Sequence, residues 1–146
     1  MGDVYNLQRF VDAQNPVYAH VCKELHSGRK QSHWMWFIFP QIKGLGQSAM
    51  SARYAISSLS EAEAYLEHPI LGLRIRECSH LVRQIESRSA TEIFGHPDDL
   101  KLWSSMTLFA GTRSDDNQIF KDVLDKYFAG RLDPQTVEFV SNADTY

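Results

Sequence analysis

A single compact, mainly α-helical domain is the fold class this chain predicts. Helix-start signals recur along its length, apolar residues return at spacings of three and four, and only one stretch, residues 33–39, is dense enough in apolar residues to be read as a strand. The expected organisation is one globular helical domain over residues 1–140 and a frayed polar tail, "SNADTY", over 141–146.

Taken in order, Asn15-Pro16 reads as a cap before a proline, after which Tyr18, Val21, Cys22 and Leu25 share one face. "SEAE" at Ser60–Glu63 and "SATE" at Ser89–Glu92 read as capping boxes, in which Ser and Glu reciprocally satisfy free amides, and Gly95 suits the end of the second helix. Pro69, Pro97 and Pro134 stand where further helices begin. Leu71, Ile75, Cys78, Val82 and Ile85 line one side of an amphipathic helix whose other positions are largely charged. "DDLKLWSSMTLFAG" is apolar on several sides and reads as a largely buried helix. Ile119, Phe120, Val123, Leu124 and Tyr127 form the next apolar face, ended by Gly130, and a last helix is expected from Pro134 to about Val140. The run "HWMWFIF" at 33–39 is apolar on both faces as a strand and nearly all round as a helix, so periodicity leaves both readings open.

Composition excludes several classes of function. The 146 residues suit one domain, large enough to bury a core without a disulfide or metal staple. A net charge of −3 argues against a general nucleic-acid or anionic-membrane surface. No apolar run is long enough for a transmembrane helix, and "MGDVYNLQRF" lacks a basic-then-apolar signal region. Asn6 stands where a myristoylation signal needs Ser or Thr. The two cysteines, Cys22 and Cys78, fall on apolar helical faces and read as reduced core residues of a cytoplasmic protein. No H-E-x-x-H, C-x-x-C, G-x-S-x-G or Walker pattern occurs, so neither a metal nor a cofactor is expected.

One segment concentrates binding chemistry. In "GRKQSHWMWFIFPQIKGLGQS", Arg29 and Lys30 precede the aromatic run, and Lys43 and Arg53 follow it; cations that converge bind phosphate. Trp34 and Trp36 offer rings for stacking. "GLGQSA", with Gly44, Gly46 and Ser48, matches G-x-G-x-x-A, yet the region that should supply a second parallel strand carries helix signals. A glycine loop exposing amides to an anion, or a plain turn, remains. His33 is the acid–base candidate, because the intrinsic pKa of an imidazole lies near working pH. Asp99, beside Asp98 at a helix start, is a second catalytic candidate whose competing role is to favour the helix dipole. Ser104, Ser105 and Thr107 either bond the preceding turn's carbonyls or face a cleft. The expected partner is therefore a small anionic, phosphorylated or nucleotide-like ligand, against a non-catalytic protein-interaction module as the alternative; no protein partner is specified.

"FVDAQNPVYAHVCKEL", "SHWMWFIFPQ" followed by "GLG", "ARYAISSLSEAEAYLEHPILGLRIREC" and "DDLKLWSSMTLFA" together resemble the bacterial domain-of-unknown-function family 1810, from about Leu7 to Val140. Members often carry the label calpastatin, whose inhibitory segments are disordered, whereas this chain reads as a packed globule. The resemblance implies a compact helical domain and no established activity. Members often have Arg where this chain has Trp103. The short helices, the aromatic segment and "EAEAYL" also bear a likeness to the NADAR group, which implies chemistry at N-glycosidic bonds of ADP-ribose-related molecules and transfers no individual residue.

Overall fold

Proline, serine and aspartate punctuation divides the chain into helices. A computed structural model describes residues 2–143 and places in them α1 (Gln8–Gln14), α2 (Tyr18–His26), α3 (Met35–Ile38), α4 (Ala49–Arg53), α5 (Leu59–Glu67), α6 (Leu71–Gln84), α7 (Ala90–Phe94), α8 (Asp98–Ala110), α9 (Gln118–Phe128) and α10 (Pro134–Ala143). Among the described residues there is no strand, only an isolated bridge between Ile42 and Ile56. No helix among the described residues is long and apolar enough to cross a membrane.

Helix α6 buries Leu71, Ile75, Cys78 and Val82 against α2, α5 and α9, along the face its sequence spacing defines. Helix α8 packs on α7, α9 and α10 and buries residues on several sides, Leu102, Met106 and Phe109 among them. Buried apolar residues from Leu7 to Leu124 form one continuous core.

The aromatic run settles as the single-turn helix α3, so the strand reading is corrected. Its surroundings explain why. Trp34, Met35, Ile38 and Phe39 are all buried, and among the described residues no strand lies beside the run for it to pair with. The buried amide of Gln14 instead donates to the Phe37 carbonyl at 2.8 Å and to the Tyr65 hydroxyl at 3.1 Å.

Helix boundaries follow the sequence signals in part. Ser89 and Glu92 form the expected capping box, and Gly95 closes α7 at φ +75°. The box read at Ser60 is displaced: Ser58 caps α5, accepting from the Glu61 amide at 3.1 Å. Glu61 is drawn there because its carboxylate accepts from the Ser57 amide at 2.8 Å and pairs with Arg9 at 3.1 Å. Asn15 closes α1 rather than capping α2, which starts after Val17. His68 acts in place of a capping hydroxyl, its Nδ1 accepting from the amides of Ile70 (3.1 Å) and Leu71 (3.2 Å) at the head of α6. Helix α10 continues to Ala143, past the expected end near Val140, so residues 141–143 of the expected tail are helical; residues 144–146 lie outside the described residues.

Candidate ligand site beside the glycine loop

The bridge that joins Ile42 to Ile56 cinches an excursion of the chain. Lys43 N donates to the Ile56 carbonyl at 2.8 Å, and Ile56 N donates to the Gln41 carbonyl at 2.9 Å. Between these points lie the glycine loop and α4. Arg9 holds the return path, donating to the carbonyls of Arg53 at 2.9 Å and Ala55 at 2.8 Å. The loop is tight. Gly44 has φ +107°, a region that favours glycine, and any side chain there would press on the Phe139 ring. A Cβ on Gly46 would collide with the Cβ and Oγ of Ser51.

A 220 Å³ cavity opens inside this excursion, and Trp36, Lys43, Gly44, Gly46, Ser51 and Tyr54 are among the residues around it. Four sequence candidates, Trp36, Lys43, Gly44 and Gly46, thus meet at one place. Ser48 caps α4, accepting from the Ser51 amide at 3.1 Å, and supports the wall without lining it. Arg53 is exposed, with its guanidinium 5.4 Å from the Tyr54 ring centroid.

The other candidates stand elsewhere. Arg29 and His33 are exposed, and neither lines this cavity. Lys30 is not a free cation: its ammonium pairs with Asp98 at 2.9 Å and lies 5.2 Å from the Trp34 ring centroid. Trp34 is 1% exposed and wedged beside Phe39 and Phe94, so the expectation that it stacks on a ligand gives way to a core role. Asp99 is buried at the α7–α8 junction, where its carboxylate meets Thr91 Oγ1 at 2.6 Å, His96 Nδ1 at 3.0 Å and the Leu100 amide at 2.9 Å. His33 and Asp99 therefore share no cavity with the glycine loop.

Glu24 organises the segment between Lys30 and Trp34. Its carboxylate accepts from the amides of Gln31 (2.7 Å) and Ser32 (3.0 Å), from the Ser32 hydroxyl, and from the Trp34 indole N–H at 2.9 Å. Burial alone would raise its pKa, but these donors together hold it down to about 2. Sequence reading passed over Glu24, because nothing in α2 announces which distant amides it receives.

Lys101 was also missed. It lies 5.3 Å from the Trp36 ring centroid and pairs with Asp98 at 3.3 Å, so Asp98 sits between two lysines, each laid over a tryptophan of the aromatic run. The only cue was Lys101 one turn after Asp98. Of the helix α8 hydroxyls, Ser104 and Thr107 bond the carbonyls of Leu100 (3.1 Å) and Trp103 (2.8 Å). Both also engage Asp133, which caps α10. Trp103 stacks on Phe128 and donates to the Arg131 carbonyl at 2.8 Å.

A second, larger opening of 710 Å³ runs between α8, α9 and α10. Leu108, Leu124, Leu132, Val137 and Val140 make it mainly apolar, with Lys121 and Asp125 among its polar residues. No group of His, Cys, Asp and Glu suited to a metal occurs among the described residues.

Comparisons with known proteins bear on the whole chain. A family model described as "Protein of unknown function (DUF1810)" matches residues 4–140. The crystal structure of the conserved hypothetical protein Rv1873 from Mycobacterium tuberculosis is similar at 56% identity and a TM-score of 0.92, over 95% of this chain and 99% of that one. No curated protein matches.

Proposed function

Because the chain belongs to the DUF1810 family, whose description names no activity, we propose from its own geometry that the domain binds a small phosphorylated, nucleotide-like ligand beside Gly44–Gly46. The observation that carries this reading is the meeting of Trp36, Lys43, Gly44, Gly46 and Ser51 around one cavity. An indole supplies a stacking face, an ammonium attracts phosphate, and side-chain-free glycines let an anion approach the backbone. At 220 Å³ the space is below the ~300–1,000 Å³ of sites that enclose a whole drug-sized ligand. It suits the phosphorylated end or one ring of the ligand, with the remainder over the surface.

Cleavage of an N-glycosidic bond is the finer half of this reading. It needs a carboxylate to support an oxocarbenium-like centre or to position water. His33 and Asp99 are the candidates; their positions outside the cavity make binding the better supported half.

The test is thermal denaturation of the purified chain with AMP, ADP, ADP-ribose, sugar phosphates and inorganic phosphate. A ligand at a hundred times its Kd stabilises by about 2.7 kcal/mol, which melting resolves. At least one compound should raise Tm, and Trp36→Ala and Lys43→Ala should each abolish the shift. A silent panel, or a shift that survives both substitutions, overturns the site. Product analysis with His33→Ala and Asp99→Asn decides cleavage.

The alternative, a non-catalytic interaction module, is supported by the 710 Å³ groove, where Leu132 and Val137 are 52% and 47% exposed. Its apolar floor and its one lysine and one aspartate suit the apolar face of a partner's amphipathic helix. Binding lost in Leu132→Asp but kept in Trp36→Ala would move the function there.

A further inference from the structure

The chain's two cysteines play no part in the ligand site, and the fold brings them into one cluster between α2 and α6. Cys22 is half-buried and Cys78 is buried. Tyr18, one turn before Cys22, donates its hydroxyl to Glu77, the residue before Cys78. Cys22 Sγ lies 3.9 Å from Glu77 Oε1, and Cys78 Sγ lies 3.8 Å from the Tyr18 hydroxyl oxygen. The Arg74 guanidinium covers the Tyr18 ring at 4.7 Å. The two thiols also act on each other. The Cys78 thiol, together with the Tyr18 hydroxyl, brings the Cys22 thiol down to about 7 against the effects of burial and of the Glu77 charge. The neighbouring Cys22 thiol and burial push Cys78 well up. Cys22 is therefore the partner that reaches solvent and ionises first, while Cys78 stays protected within the same Tyr18–Glu77 cluster.

We propose that Cys22 and Cys78 form a redox pair, in which a hydroperoxide oxidises Cys22 and Cys78 resolves the product into a disulfide linking α2 to α6. In the first step the Cys22 thiolate attacks the outer oxygen of the hydroperoxide. An S–O bond forms, the O–O bond breaks, and the departing alkoxide takes a proton to leave as the alcohol, or as water from hydrogen peroxide. In the second step Cys78, giving up its proton, attacks the Cys22 sulfur. The S–S bond forms, the S–O bond breaks, and hydroxide leaves with that proton as water. Two thiols lose two electrons and the peroxide gains them; a dithiol reductant reverses the change. The bond closes a loop over residues 22–78, which contains Glu24, the aromatic run and the glycine loop, so oxidation ties down the segment that carries the candidate ligand site.

The experiment uses the intact, pre-reduced protein and a small excess of hydrogen peroxide. Because the chain has only two cysteines, thiol titration and intact mass read the outcome directly. Free thiols should fall from two to none, the monomer should lose two hydrogens, a peptide map should join the Cys22 and Cys78 peptides, and dithiothreitol should restore both thiols. In Cys78→Ser, dimedone should trap a sulfenic acid at Cys22; in Cys22→Ser, Cys78 should stay unmodified. Unreacted thiols, a disulfide between two chains, or Cys22 carried to sulfinic acid while Cys78 stays free would each overturn the pairing. Should the Cys78 variant fail to fold, the mass and peptide map of the unmodified sequence decide alone.

Discussion

The carboxylate of Glu24 receives the indole N–H of Trp34 at 2.9 Å while two backbone amides of the intervening segment bond the same oxygen. This contact turns a basic, polar stretch into a fixed approach to the aromatic core. Glu24→Gln should keep the shape but weaken charge-assisted bonds, at a cost of about 1–3 kcal/mol by urea denaturation. The pH dependence has a defined sign. The folded-state pKa lies near 2, below the ordinary 4.5, so Glu24 contributes its full stabilisation above about 4.5 and loses it as pH falls toward 2. In that window the variant should show a shallower acid loss of stability than the parent. Parallel acid slopes would show that Glu24 is not held in this way.

Gln14 is 1% exposed and joins three distant segments, through Phe37, Tyr65 and, at 3.3 Å, Arg74. Gln14→Leu has a comparable volume but leaves the Phe37 carbonyl without its donor. A loss of about 1–3 kcal/mol is expected in chemical denaturation, the desolvation cost of an unsatisfied buried group. No loss would mean that the carbonyl finds water instead.

Gly46 is needed for close approach and not for an unusual backbone angle. Gly46→Ala should destabilise by about 1–3 kcal/mol because its methyl meets Ser51. The paired variant Gly46→Ala with Ser51→Gly removes the collision and should recover most of the loss beyond what Ser51→Gly itself costs, measured as a double-mutant cycle. Additive losses would place the strain in the backbone.

Much of the fold was legible because it is written in local signals. The Ser89–Glu92 box, the face from Leu71 to Val82 and the Pro134 start need only neighbours within two turns. Errors arose where a distant residue competes for a local one. Arg9 pairs with Glu61, whose amide is capped by Ser58, so the helix begins earlier than Ser60 suggests. The same physics governs the candidate site. Gly44, Gly46 and Trp36 come together because a short excursion cinched at Ile42 and Ile56 gathers them. Lys30 is claimed by Asp98 and Trp34 is claimed by Glu24, and neither pairing leaves a pattern in sequence spacing.

Ser105 offers the opposite kind of test. Its hydroxyl is buried in α8 with no hydrogen-bond partner among the described residues, while its neighbours Ser104 and Thr107 are both bonded. Desolvating a hydroxyl without a partner is unfavourable, and alanine keeps the helix while removing the group. Ser105→Ala should therefore leave stability unchanged or raise it by about 1–3 kcal/mol, whereas Ser104→Ala should lower it by breaking the 2.7 Å bond to the buried Asp133. Thermal melts of the two variants side by side separate the cases. If Ser105→Ala is the more damaging, its hydroxyl has a bonded water, and the interior of α8 is wetter than its packing indicates.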